Sequence, residues 1–213
     1  MRIKVLIVCL VILFAVEACS SKVDMPAINI IERPSRNIID FNDPNEGVFT
    51  VEVYGPGVVA QNITKIFAQG NISYGLKLKY ITFEYNENSF EPFLHIGISP
   101  SLANHDWSGA TKLVTFLQFS ALPFHIVVLI HDCSEHESEI WIWKYFYDHE
   151  EVDEFHKLEV PLNKMTPNFD PTQSGTNGRL DLNAVCNIEF LLKTYSENES
   201  SIITLANPYL SFD

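Results

Sequence analysis

Cysteine is scarce in this chain, with four in 213 residues, too few for a small disulfide-built scaffold. Basic residues are scarce as well: Lys and Arg number 14 against 27 Asp and Glu, a net charge of −13. A field of that sign repels phosphate backbones, and no basic stripe offsets it, so nucleic acid is not an expected partner. The sequence holds no P-loop, no dinucleotide fingerprint and no nucleophile elbow. His149-Glu150 with Asp153 falls short of an HExxH motif because the second histidine is absent, and 148–154 reads more simply as a solvated acidic loop. His131, Asp132, Cys133 and His136 cluster without the spacing of a zinc site. Paired carboxylates for glycoside hydrolysis have no motif behind them. With no catalytic motif in the sequence, the expectation is a protein without catalysis.

Apolar residues, in contrast, make up 46% of the chain, and aromatics are plentiful at 15 Phe, 8 Tyr and 3 Trp. One domain with a sizeable core follows from that composition and length. At the N-terminus, Arg2 and Lys4 precede an uncharged apolar run from Val5 to Val16, and Val16 and Ala18 sit where a cleavage site is read. The pattern predicts a secretory signal peptide over 1–18. The run is about a dozen residues, short of the ~20 that cross a bilayer as a helix. Val16-Glu17-Ala18-Cys19-Ser20-Ser21 resembles the lipobox of bacterial lipoproteins, with Glu17 departing from its pattern. That resemblance implies a diacylglycerol on Cys19 and lipid-anchored membrane association; plain secretion is the alternative. Pro26 and Pro34 break any helix over 19–37, which reads as a tether.

From Ile38 onward short strand-like runs alternate with turn signals. They include Phe49–Tyr54 before Gly55-Pro56-Gly57, the alternating Leu76–Tyr85, Phe93–Ile98, Lys112–Phe119 and the continuously apolar His125–Ile130. Ile140–Tyr147, Lys157–Leu162, Ile188–Lys193 and Ile202–Leu205 complete the series, and 166–178 reads as one long Pro- and Gly-bearing loop. Such spacing predicts an all-β domain over 38–213, a jelly-roll β-sandwich of two antiparallel sheets.

The order of several short motifs adds a family. Ile39-Asp40-Phe41, Gly75-Leu76-Lys77-Leu78, Asp106-Trp107-Ser108-Gly109 with Leu113, Ile130-His131-Asp132, Val160-Pro161-Leu162 and Leu180-Asp181-Leu182 with Val185 and Ile188-Glu189-Phe190 occur in sequence, closed by Ile203–Leu210. In that order they resemble the galactose-binding-domain-like β-sandwiches. Within these, they are similar to the carbohydrate-binding-module-like domains of bacterial envelope and polysaccharide-degrading proteins. The resemblance implies a glycan or envelope component as ligand. It also implies a structural calcium held where the opening and closing segments meet. Here those positions are Asn42 and Ala206-Asn207, with the family's acids replaced and Asp40, Asp43 and Glu46 nearby in sequence. Asp40, Asn42 and Asn207 are therefore the candidate metal ligands.

Side chains alternate across a strand, so Trp141, Trp143, Tyr145 and Tyr147 share one face while Ile140, Ile142, Lys144 and Phe146 share the other. A flat aromatic row suits the apolar face of a sugar ring and is the candidate stacking platform; the alternative is that the row fills the core. Trp107 is a further candidate ligand contact. Cys133 and Cys186 are either a disulfide or two buried thiols. Asn62, Asn71 and Asn198 open glycosylation sequons, which matter only in a eukaryotic host. The expected function is an exported, non-catalytic protein that binds a glycan or envelope component. The alternatives are a protein-interaction module in an envelope assembly and a hydrolase of unknown type. The oligomeric state is not legible.

Overall fold

A computed structural model describes residues 35–54, 57–68, 71–82, 93–120, 124–133, 139–147, 152–168, 178–194 and 200–213. The expected signal peptide, with Cys19, and most of the expected tether lie outside these residues, as does the 83–85 end of one expected strand.

The described residues form thirteen strands: β1 (Ser35–Asn37), β2 (Gly47–Tyr54), β3 (Gly57–Ala68), β4 (Asn71–Thr82), β5 (Phe93–Pro100), β6 (Lys112–Phe119), β7 (Phe124–Asp132), β8 (Glu139–Tyr147), β9 (His156–Pro161), β10 (Thr166–Pro167), β11 (Val185–Thr194), β12 (Ser200–Ala206) and β13 (Tyr209–Ser211). They build two antiparallel sheets. One runs β1-β13-β6-β12-β4-β3, with β9 also paired to β6; the other runs β10-β8-β7-β11-β5-β2. Period-two alternation explains the pairing. On β4, Leu76, Leu78 and Tyr80 are buried while Lys77 and Lys79 are exposed. The architecture is an all-β, jelly-roll-like sandwich.

The core lies between the sheets. In the six-stranded sheet one row runs Phe49, Ile98, Ile188, Ile130 and Trp141 across five strands, and the next runs Val51, Ile96, Phe190, Val128 and Trp143. Facing them across the sandwich stand Leu113, Leu117, Phe119, Ile203 and Leu205, all at 0–1% exposure. Burial of each such side chain contributes about 1.5–3 kcal/mol.

Three expectations need correction at this level. The sandwich begins before Ile38, because Ser35–Asn37 already pairs with β13 and Ile38 donates its backbone N–H to the Pro208 carbonyl at 3.0 Å. The segment after Met165 is not loop throughout, since Thr166 and Pro167 add a short edge to β8. Strand β3 had no strand in the sequence reading. Its middle residues, Ala60 to Ile63, are exposed on both faces of a sheet edge, so no alternation of apolar and polar residues marks it.

Candidate functional site

Strand β8 decides which face of the six-stranded sheet meets solvent. Ile130, Val128 and Ile126 of β7, all at 0% exposure, stand opposite Trp141, Trp143 and Tyr145. The aromatic row therefore points inward. Trp141 and Tyr147 are 6% and 4% exposed and belong to the core. Trp143 packs half-buried against it and stacks on Tyr145 at 5.6 Å. Tyr147 meets Phe119 of β6 at 5.4 Å, and Phe119 stacks on His156 of β9 at 5.1 Å. This corrects the platform expectation: Trp141 and Tyr147 are core, and only Tyr145, 41% exposed, reaches well into solvent. Trp107 is corrected likewise. It is fully buried, and its Nε1 donates to the Asn104 carbonyl at 2.9 Å, which satisfies the one polar group of the ring.

Among the described residues nothing covers the other face of the same sheet. Its centre is a half-buried apolar strip of Val127, Leu129, Leu191 and Ile142. Aromatic pairs stand at two places on it. Tyr54 stacks on Phe93 at 5.0 Å across β2 and β5, and Phe146 meets His125 at 4.2 Å across β8 and β7. Tyr54 is 48% and Phe146 44% exposed. Strands β2 and β8 are four strand spacings apart, which makes the face roughly 19 Å wide.

Between the aromatic pairs lies a polar chain. Glu52 Oε1 approaches His95 Nδ1 at 3.1 Å, His95 Nε2 lies 3.3 Å from Glu189 Oε2, and His131 Nε2 lies 2.9 Å from Glu189 Oε1. Asn187 donates to Glu189 Oε1 at 3.3 Å and accepts from the Ser99 hydroxyl at 3.3 Å. Tyr54 covers His95 edge-on at 5.4 Å, leaving it 8% exposed. A hydrogen bond to Glu52, reinforced by that carboxylate's charge, holds the Tyr54 phenol above its ordinary value, so it remains a donor. Gly97 sits at the centre of this face. A β-carbon there would come within 2.8 Å of Thr50 Oγ1, so the strand keeps a notch beside the acids. An aromatic-flanked strip with fixed carboxylate, amide and hydroxyl groups can stack on ring faces and accept hydrogen bonds from hydroxyls.

A concavity of about 400 Å³ is lined by Trp141, Leu162, Met165 and Leu182 together with Asn163 and Arg179.

The calcium candidates are brought together, but in a form that suits calcium poorly. Asn207 accepts the Phe41 N–H at 3.1 Å through Oδ1 and donates Nδ2 to Asp40 Oδ1 at 3.3 Å. The Asn42 backbone N–H donates to the same Asp40 oxygen at 2.9 Å. Calcium needs six to eight oxygen ligands, whereas here an amide N–H points at the carboxylate and the amide oxygen is already taken. Glu46 accepts from Asn104 at 3.3 Å. Among the described residues no group of three or more His, Cys, Asp or Glu converges to hold a metal ion.

Cys133 and Cys186 are bonded to each other, with Cα atoms 5.9 Å apart. A bulge between Val185 and Asn187 in the β11–β7 register breaks the ladder at Cys186. Beside it, the Asp132 carboxylate accepts the Asp181 N–H at 2.7 Å.

No protein-family profile and no curated protein matches this chain. Solved structures do share its fold. A family 11 carbohydrate-binding module from Clostridium thermocellum, in complex with a β-1,3-1,4-mixed-linked tetrasaccharide, superposes with a TM-score of 0.56 at 17% identity, over 83% of this chain and 95% of that one. The family 11 module of the cellulosomal cellulase Lic26A-Cel5E of the same organism gives 0.54 at 18% identity, over 84% and 95%. An exo-β-agarase gives 0.51 at 12% identity, over 82% of this chain but 24% of the agarase. The fold is that of a carbohydrate-binding-module β-sandwich.

Proposed function

We propose that the protein binds a glycan chain, without catalysis, on the outer face of its six-stranded sheet. The observation that carries the reading is the make-up of that face, where two aromatic pairs, each with one exposed ring, flank an apolar strip crossed by fixed hydrogen-bonding groups. A width of roughly 19 Å suits several sugar rings in a row rather than one. The fold shared with carbohydrate-binding modules supports the same reading. Binding rather than hydrolysis fits the acids on this face, because Glu52 is hydrogen-bonded to His95 and Glu189 to Asn187 instead of standing opposed across a cleft. Stacking and a few hydrogen bonds on an open face give modest affinity.

Export belongs to the same proposal. The mature chain starts at Cys19, and the Cys133–Cys186 bond fits an oxidising compartment. Mass analysis of the mature N-terminus tests this, and a mass addition lost in Cys19→Ser separates lipid anchoring from plain secretion.

Affinity electrophoresis against soluble polysaccharides, with β-1,3-1,4-linked glucan among them, tests the glycan reading. Retardation by at least one polysaccharide, lost in Tyr54→Ala and in Phe146→Ala, is expected. Migration unaffected by every polysaccharide, or retardation unchanged in both variants, overturns it.

A further inference from the structure

We propose that the protein pairs with a second copy of itself along strand β3, extending the seven-stranded sheet across a two-fold axis and turning both glycan faces the same way. The dimer is independent of the glycan reading; its use for avidity rests on that reading.

An outermost strand carries a row of backbone N–H and C=O groups that no neighbour takes up, and folds blunt such edges with charge, proline, bulges or short length. The other edges of this sandwich are blunted. Strand β1 has three residues and includes Arg36, and β10 has two, one of them Pro167. Strand β9 carries Lys157 and Glu159 and ends in Pro161, and β2 carries the exposed Glu52. Strand β3 lacks these devices. It is twelve residues long without proline or acid, and its one charge is Lys65. It pairs with β4 residue for residue from Gly57↔Thr82 to Ala68↔Asn71 without a bulge. Among the described residues β4 is its only ladder partner. Val58 and Ile63 stand exposed on it. An edge of this kind is a template for another strand.

The pairs that β3 forms with itself name the occupant. Two identical strands meet antiparallel about a two-fold axis normal to their sheet. With Gln61 on that axis, Val59 meets Ile63 on the face shared with Leu78 and Tyr80, while Ala60 meets Asn62 and Val58 meets Thr64 on the other. These are apolar and small polar cross-strand pairs. Lys65 comes opposite Gly57, so no charge meets a like charge. Lys77 and Lys79 lie one strand back, beside Asn62 and Ala60. Across the dimer they are three strand spacings apart, roughly 14 Å, beyond a screening length of about 8 Å. A strand without acids gives a charged partner little to pair with, whereas β3 matches itself.

Symmetry then fixes orientation. Rotation about the sheet normal leaves both sandwiches facing the same way. Both six-stranded sheets therefore lie on one side of the joined sheet, with their outer faces directed away on that side. Two such faces on one polysaccharide surface hold it better than either alone.

Sedimentation velocity of the mature protein, over a concentration series, reads the dimer without any glycan. A reversible monomer–dimer equilibrium is expected, and a monomer at every concentration overturns the proposal. Gln61→Lys sets like charges opposite each other on the axis and should raise the dissociation constant about fivefold. Gln61 is exposed, so the variant should keep the native circular dichroism spectrum. An unchanged constant overturns the assignment to β3. Cross-linking in a Cys19→Ser background checks the pairing. Gln61→Cys brings its two Cα atoms to about 5 Å, within the span of a disulfide, and should give a covalent dimer on oxidation. Val58→Cys lies roughly 20 Å from its own counterpart and should not. Equal cross-linking at 58 and 61 overturns the pairing about Gln61. In affinity electrophoresis against β-1,3-1,4-linked glucan, the cross-linked Gln61→Cys dimer should be retarded more than Gln61→Lys. Equal retardation overturns the shared orientation. No retardation of a protein that still dimerises sinks the glycan reading and leaves the dimer standing.

Discussion

The two faces of the six-stranded sheet are both apolar at their centres, yet they end in different states. The inner face sets Ile188, Ile130 and Trp141 beneath the second sheet, where the first two are fully buried and Trp141 nearly so. The outer face sets Leu191, Val127, Leu129 and Ile142 under nothing in the described structure, and they remain half-buried. Aromatic content does not tell the two apart. The strand richest in aromatics spends most of them on the core, and the open face relies on Tyr54, Phe93, His125 and Phe146 from four different strands. A binding surface on a sheet is assembled across strands, so it is dispersed in sequence.

Breaking the core should cost most. Trp107→Ala and Trp141→Ala each remove a buried ring and leave a cavity, and a loss of about 3–5 kcal/mol is expected from urea midpoints. Tyr145→Ala, on the same row as Trp141 but largely exposed, should lose under about 1 kcal/mol. Equal losses at 141 and 145 would refute the inward assignment of that row.

The disulfide comes next. It closes a 53-residue separation at one end of the six-stranded sheet. Replacing Cys133 and Cys186 together by Ser should lower stability by about 2–4 kcal/mol, read as the difference between oxidised wild type and the double variant.

A smaller effect is expected where the N-terminal segment meets β13. Asn207→Ala leaves the Phe41 N–H without its acceptor and Asp40 without one of its donors. A loss of about 1–3 kcal/mol follows from an unsatisfied buried donor. Because those groups already satisfy one another, adding calcium or a chelator should leave the thermal midpoint of the wild type unchanged, and a rise with calcium would show a site after all.

The outer face should show the smallest stability change and the largest functional one. Tyr54→Ala and Phe146→Ala should each shift the urea midpoint by under about 1 kcal/mol while abolishing retardation by glycan. A core-sized loss of stability in either would mean that the faces had been assigned the wrong way round.

The reading of β8 shows where sequence reasoning stopped. Alternation correctly sorted Trp141, Trp143, Tyr145 and Tyr147 onto one side. It is silent on which side meets the second sheet. Lys144 held that information: an exposed lysine on the Ile140–Ile142 side marks that side as outer, because its charge resists burial. The histidines that cluster along the chain do not include His95. Its partners sit 43 and 94 residues away in sequence, and only the β2-β5-β11 pairing brings them together.

Composition and period-two patterning by themselves determined the all-β class, the two-sheet sandwich and most of its strands, because alternating burial is written locally along each strand. Tertiary structure alone decided that Trp107, Trp141 and Tyr147 are buried, that Cys133 meets Cys186, and that Glu52, His95, Glu189 and His131 come together on one face. Those outcomes depend on strand order and on which face the second sheet covers. Both are set by packing free energy summed over the whole sandwich, and no single segment carries that sum.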